Sequence, residues 1–414
     1  MAITEEPATS GADGAGGRWV RPFEGFDTRE ALRNATRQAE ERGLYDMLVV
    51  DADAHHYESD SWPEVMAYLD DPILVRFATH GAVNKITGGN PLGFPEPGFD
   101  SDLAGRITRY GLGRQEVGEP GANRELSVMR RSLEAMALDY QVVFPSPMLT
   151  LGMHPDVDVE VAVSRAYARW LTERVLAEDS RMLTMIYLPF NDVEASLKMI
   201  AEFADAPGVV GFMVTSVRHQ PVHHKSFMPV YRAIEETGKP LAFHAGQTWT
   251  ERSFQQLNRF LSVHALGFPY YNMIHLTNWI VNGLPERFPA LKVVWIEAGL
   301  AWLPFISQRL DNEYLMRSSE APLLKRRPSE YIREMYFSSQ PMEYPEKLEW
   351  LESTFDQINA KTQLLFASDW PHWDFDLPAT IYDLPFLDDQ SRRNILGENA
   401  LRLFDLAMPE KYLT

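Results

Sequence analysis

The chain has 414 residues, of which 45% are hydrophobic and 23% charged, an ordinary globular balance with enough length to bury a large core without staples. A formal net charge of -19 argues against nucleic acid or an anionic membrane as the main partner. There is no cysteine, which excludes disulfides, thiolate metal sites and a cysteine nucleophile, so any metal must be held by His, Asp and Glu.

The opening stretch, MAITEEPATSGADGAGG, is small, acidic and glycine-rich. It lacks the basic start and apolar core of a signal peptide, and no run approaches the length of a membrane span. The expectation is a cytoplasmic protein with a disordered tail over residues 1–24 and a single domain over residues 25–414. Length alone would suit two or three domains, but α/β barrels run past this size as one unit.

In chain order, residues 27–42 have helical composition. An apolar run, Met47-Leu48-Val49-Val50, then ends in Asp51-Ala52-Asp53. Similar runs recur at residues 140–145, 182–188, 209–214, 240–244, 291–297, 334–338 and 363–368. Continuous apolar runs of this length suit strands buried on both faces. Helix-like stretches lie between most of them, at residues 156–178, 193–203, 228–237 and 345–359. Eight strands alternating with helices predict an α/β fold, a (β/α)8 TIM barrel. Residues 59–138, with glycine and proline clustered between Gly81 and Gly121, read as an insertion after strand 1 that covers the C-terminal mouth of the barrel.

Chemistry-bearing residues gather where the apolar runs stop. The first run ends in Asp53-Ala54-His55-His56-Tyr57-Glu58, the fifth in Phe243-His244-Ala245-Gly246-Gln247, the sixth in Ile296-Glu297-Ala298-Gly299, and the eighth in Ser368-Asp369-Trp370-Pro371-His372-Trp373. In a barrel these ends converge on one face. Side chains alternate along a strand, so Asp53 and His55 can enter one cavity. A lone histidine or acid at a strand end is usually a surface residue or a helix cap. Four such ends together point instead to a metal held by imidazole and carboxylate: zinc, manganese or iron. His55, His244 and Asp369 lead the candidate ligands, followed by Asp53 and Glu297 and then by His56, Glu58, His275 and His372. His275 lies in a helix-like stretch and would reach the site from above. Asp369, Glu297, His275 and His372 are the candidate catalytic groups. His80, His154, His219, His223, His224 and His264 are not expected to be ligands. No phosphate-binding loop, dinucleotide fingerprint or nucleophile elbow is present.

These segments, with Leu284-Pro285-Glu286-Arg287-Phe288-Pro289 and Asn394-Ile395-Leu396-Gly397-Glu398-Asn399, resemble the amidohydrolase-related (amidohydrolase-2) barrels, which include resorcylate-type decarboxylases. The resemblance spans residues 47–406 and implies a divalent metal on Asp53, His55, His244 and Asp369. Glu297-Ala298-Gly299 departs from the His-x-Gly-Gly end expected on strand six, and His55 is doubled by His56. The fourth run offers no lysine for carbamylation, which disfavours a carbamate-bridged hydrolase.

One branch of these barrels accommodates the added ligands. The chain resembles the TIM-barrel non-haem diiron monooxygenases of diterpenoid antibiotic (platensimycin and platencin) biosynthesis. That resemblance implies two Fe, O2, an electron donor and a hydrophobic, CoA-linked, terpenoid-like substrate. A dry mouth lined by Tyr57, Trp249, Phe268, Tyr270, Tyr271, Trp279, Trp370 and Trp373 would suit such an oxidant, although most of these could equally be core. The alternative is a mononuclear zinc or manganese hydrolase or decarboxylase, in which His56, Glu58 and Glu297 orient the ligands. The surplus ligands and the branch resemblance favour the oxygenase. In either case the partner is a small-molecule substrate, and a homodimer is the family-level expectation.

Overall fold

A computed structural model describes residues 28–81, 123–215, 220–246, 253–254, 256–257, 260–372 and 374–413. The expected tail, most of the expected insertion, and His219, Gln247, Trp249 and Trp373 lie outside the described residues.

Eight parallel strands follow one another in chain order around a single sheet: β1 (Val50–His56), β2 (Tyr140–Pro145), β3 (Met182–Tyr187), β4 (Val209–Thr215), β5 (Leu241–His244), β6 (Val293–Ile296), β7 (Tyr336–Ser338) and β8 (Leu364–Leu365). Each pairs in parallel with the next. The eight apolar runs of the sequence are these strands. Every residue of β1, β3, β4, β5, β6 and β8 is buried, because helices cover one side of the sheet and barrel side chains fill the other. Phe144, Phe212, Phe243, Trp295 and Phe337 are among the large side chains sealed within this core. The Trp295 ring stacks on Phe243 across β5 and β6 at a centroid distance of 4.7 Å.

Short β8 closes the barrel against β1 through the residues that follow it. The Ala52 N–H donates to the Phe366 carbonyl at 2.9 Å, the Asp369 N–H to the Asp53 carbonyl at 2.7 Å, and the His55 N–H to the Trp370 carbonyl at 2.6 Å. The buried Asp51 carboxylate reinforces the seam. It accepts the Ser368 N–H at 2.8 Å, the Ser368 hydroxyl at 2.5 Å, the Gln141 side-chain amide at 3.1 Å and the Asp53 N–H at 3.2 Å. Burial pushes the Asp51 carboxyl up to about 7, against the pull of these donors.

The chain enters through α1 (Thr28–Arg42), whose Arg42 makes a paired contact with both Asp383 oxygens at 2.8 and 2.6 Å. After β1 come α2 (Trp62–Met66), α3 (Pro72–Gly81) and α4 (Arg124–Ala135). Within the expected insertion, α4 is the helix that returns the chain to β2. Ser132 donates to Gln141 on β2, and Arg130 pairs with Asp179, which precedes β3. The helices α5 (Val157–Arg174), α6 (Val193–Phe203) and α7 (Met228–Thr237) link β2 to β5. Asn123, Asp156 and Asp192 cap α4, α5 and α6 by accepting first-turn N–H groups, and Gly238, with φ 73°, ends α7 in the left-handed region. The long crossover after β5 is built on the 22-residue α8 (Phe260–Val281). Then α9 (Leu284–Arg287) precedes β6, α10 (Trp302–Arg317) and α11 (Pro328–Ile332) precede β7, and α12 (Leu348–Gln357) precedes β8. Among the described residues no helix is long and apolar enough to cross a membrane.

If Asp51 holds the seam, Asp51→Ala strands four buried donors. Stability should fall by about 2–4 kcal/mol in urea unfolding, and Asp51→Asn, which keeps an acceptor, should lose less. A loss under about 1 kcal/mol for the alanine variant would show that the backbone bonds suffice.

Candidate metal centre

Two local features of the backbone aim the site. The β1–β2 register slips by one residue between Asp51 and Ala54, a bulge of the kind that redirects side chains at barrel rims. Glu297 and Asp369, at the ends of β6 and β8, take left-handed φ values of 58° and 57°. Such conformations cost about 1–3 kcal/mol for a non-glycine residue and persist where surrounding bonds impose them. The Glu297 N–H is held by the Ser338 hydroxyl at 2.9 Å, and Asp369 by the seam.

Four side chains meet inside the C-terminal end of the barrel. The Asp53 Oδ1 lies 3.3 Å from both His55 Nε2 and His244 Nε2, and His55 Nε2 lies 3.3 Å from Asp369 Oδ1. All four side chains are fully buried. His372 joins them, its Nδ1 2.6 Å from Asp369 Oδ1. Asp53, His55 and His244 form one group able to hold a metal ion, and His55, Asp369 and His372 form a second that shares His55.

The donor set fits a divalent cation. His244 Nδ1 donates to the Ala245 carbonyl at 2.8 Å, so a neutral His244 turns the electron pair of Nε2 toward Asp53. Electron pairs and carboxylate oxygens then face one another, an arrangement that is favourable only with positive charge between them. Asp53 Oδ2 is buried with no hydrogen-bond partner among the described residues. Without a metal, burial opposes ionisation of Asp53, but protonated His244 and His55 imidazoles would outweigh it and hold the carboxyl well below the usual range, so proton and metal compete for the same nitrogens. Burial likewise disfavours a charged His244, yet Asp53 and Glu297 raise its basicity overall.

The remaining expected residues lie around this group. Glu297 sits behind His244, with Oε2 3.6 Å from Nδ1, on the side away from Asp53. His56 follows His55 on the strand and so points the other way. There it bonds the Tyr167 hydroxyl at 2.6 Å, faces Glu125 at 3.6 Å and stacks near Trp170. Glu58 accepts the Ser146 and Met148 N–H groups at 3.0 and 2.6 Å, so its carboxylate is turned to the start of the 3-10 segment after β2. Burial pushes it up to about 8 in spite of those donors. His275, on α8, stacks over Phe243 with centroids 6.2 Å apart and belongs to neither candidate group. His154 and His224 make local loop bonds, and His264 faces Asp374 at 3.6 Å. Of the expected mouth aromatics, Tyr57 reaches His372 with ring centroids 6.0 Å apart, Phe268 is buried against His264 and lines a neighbouring cavity, and Trp279 is core.

Ser146, just after β2, was not among the residues singled out from the sequence. Its hydroxyl lies 3.3 Å from His55 Nδ1 and 3.1 Å from His372 Nε2. It stands at the end of an apolar run, the same signal that marked the other strand ends. Beside the site, a cavity of about 700 Å³ opens between α1, the start of α8 and the loops after β6, β7 and β8; none of the candidate ligands lines it.

The amidohydrolase family profile matches residues 129–406, about two thirds of the chain. The chain belongs to the amidohydrolase family. It is 22% identical over 247 residues to a gamma-resorcylate decarboxylase of Polaromonas sp., covering 57% of this chain and 74% of that one. The fold is shared with 5-carboxyvanillate decarboxylase LigW from Sphingomonas paucimobilis, at a TM-score of 0.62 and 20% identity, covering 87% of this chain and 100% of that one. A 5-carboxyvanillate decarboxylase from Novosphingobium aromaticivorans, solved with manganese, superposes at a TM-score of 0.63 and 18% identity over 88% of this chain and 97% of that one. These names answer to the decarboxylase alternative read from the sequence and lend the diiron oxygenase branch no support.

For this family member, Asp53→Asn and His244→Ala should each weaken Mn2+ or Zn2+ binding by more than about 100-fold in chelator competition, with far-UV circular dichroism unchanged. Affinity within about threefold of the parent protein in both variants would remove these residues from the ligand set.

Proposed function

We propose that the chain is a divalent-metal-dependent decarboxylase that releases CO2 from a small hydroxylated aromatic acid. The observation that supports this reading best is the buried convergence of Asp53, His55, His244 and Asp369, with His372 hydrogen-bonded to Asp369. Its companions are the resorcylate and carboxyvanillate decarboxylases among the chain's relatives. Asp53, His55, His244 and Asp369 would hold one ion of manganese or zinc, the metals suited to imidazole and carboxylate without thiolate. When bound, that ion supplies positive charge to a substrate carboxylate and a neighbouring phenolic oxygen.

The chain's own residues then handle the proton. Loss of CO2 breaks the bond between carboxyl and ring carbon, and its electron pair goes to a new C–H bond. Asp369 and His372, 2.6 Å apart, form a pair that can hold the proton for that carbon and be refilled from solvent. Burial of these side chains strengthens each electrostatic contact among them. Glu297 steadies the imidazole of His244 from behind.

A second reading, the non-haem diiron monooxygenase acting with O2 and an electron donor on a hydrophobic, CoA-linked substrate, has one observation in its favour: two candidate groups overlap at His55. Metal content separates the two. Protein produced with iron, zinc and manganese all available should carry about one manganese or zinc per chain. It should release CO2 from 2,6-dihydroxybenzoate or 5-carboxyvanillate, and His372→Asn should lower kcat by about 100-fold or more. About two irons per chain, with oxygen consumed on reduction and no CO2 release, would overturn the decarboxylase in favour of the oxygenase.

A further inference from the structure

A serine hydroxyl has one proton to give. At Ser146 two imidazole nitrogens compete for it, and the surrounding bonds decide the outcome. The Asp369 carboxylate, an acceptor, lies 2.6 Å from His372 Nδ1, so that nitrogen carries hydrogen. A neutral His372 therefore offers an electron pair at Nε2, and the Ser146 hydroxyl, 3.1 Å away, donates to it. Having donated, Ser146 Oγ can only accept from His55 Nδ1 at 3.3 Å, which must then carry its own hydrogen. That leaves His55 Nε2 without one, facing Asp53 and Asp369. The hydrogen bonds run in one direction, from His55 through Ser146 and His372 to Asp369. Ser146 is itself fixed: it is 4% exposed, and its N–H is held by Glu58 at 3.0 Å and by the His56 carbonyl at 3.2 Å.

We propose that Ser146 is a positioning residue that sets the tautomer of His55, so that Nε2 presents its electron pair to the metal, and that it ties this ligand to the His372–Asp369 pair. Its effect passes through the two histidines and needs no contact with metal or substrate. Backbone-anchored partners of this kind raise metal affinity by about 10–100-fold. Glu58 thereby gains a role that its distance from the metal group would not suggest, since it anchors the serine. The inference rests on the metal site of the proposed function but not on the identity of the substrate.

The test uses the full chain, metal-free and then loaded with Zn2+. Two-bond 15N–1H correlation spectra of histidine-labelled protein report which ring nitrogen is protonated. The expected result is His55 protonated at Nδ1 in the metal-free parent protein. In Ser146→Ala, His55 should populate both tautomers and Zn2+ affinity, by chelator competition, should fall by about 10–100-fold. Ser146→Thr, which restores the hydroxyl, should recover most of it. Should Ser146→Ala fail to fold, the parent spectrum decides alone: a His55 with no hydrogen on Nδ1 overturns the proposal. So does a folded Ser146→Ala with an unchanged tautomer and unchanged Zn2+ affinity. A protein that shows the expected tautomer and binds Zn2+ but releases no CO2 would fail the decarboxylase reading while leaving Ser146 in place.

Discussion

Everything chemical in this protein hangs on the closure of its last strand against its first. β8 is only two residues long, and its hold on β1 comes from the backbone bonds of the residues after it and from the Asp51 carboxylate. A buried carboxylate is costly unless its oxygens are satisfied. Here Ser368, Gln141 and the Asp53 amide satisfy it, so the charge joins β8, β2 and β1 at one point. Asp369 follows Ser368 directly, and Asp53 follows Asp51 by two residues. The clamp that closes the barrel therefore also sets the separation of two carboxylates of the candidate metal centre. Stability and the candidate site share a set of hydrogen bonds one or two residues away from it.

Much of the fold was legible because parallel barrels write themselves in a simple code. Strands buried on both faces must be apolar throughout, and runs such as Met182 to Leu188 and Val209 to Val214 carry that mark. The helices were equally plain where an acid opens them, as at Asp156 and Asp192. The region after β1 was harder. Its glycine and proline content suggested one long insertion, but α4 within it obeys the ordinary βα rhythm, which a single sequence hides when Gly and Pro surround it.

At the site, the strand-end rule gathered Asp53, His55, His244, Asp369 and His372 because barrel topology converts sequence distance into proximity. It gathered too many, because a strand end marks a residue as near the mouth but not as facing inward. Alternation turns His56 outward to Tyr167. The amides of Ser146 and Met148 claim Glu58. The turn at Glu297 places its carboxylate behind His244. Hydrogen-bond partners settle such choices, and those partners come from β2, α4 and α5, far away along the chain. Of the surplus acids that suggested a second metal, Glu58 is taken up by two amides and Glu297 lies 3.6 Å behind the His244 ring.

The wide sequence separation of the ligands carries a temporal consequence. Asp53 and His55 emerge early in synthesis, His244 midway and Asp369 only near the end. Asp369 lies beyond β8, and its N–H reaches the Asp53 carbonyl as part of the β8–β1 closure, a contact between distant parts of the chain. A chain that stops short of β8 carries Asp53, His55 and His244 but lacks Asp369 and His372. The full candidate donor set exists only in the completed barrel. An ion that needs all of these donors would discriminate between molecules whose first and last strands have met and those whose strands have not.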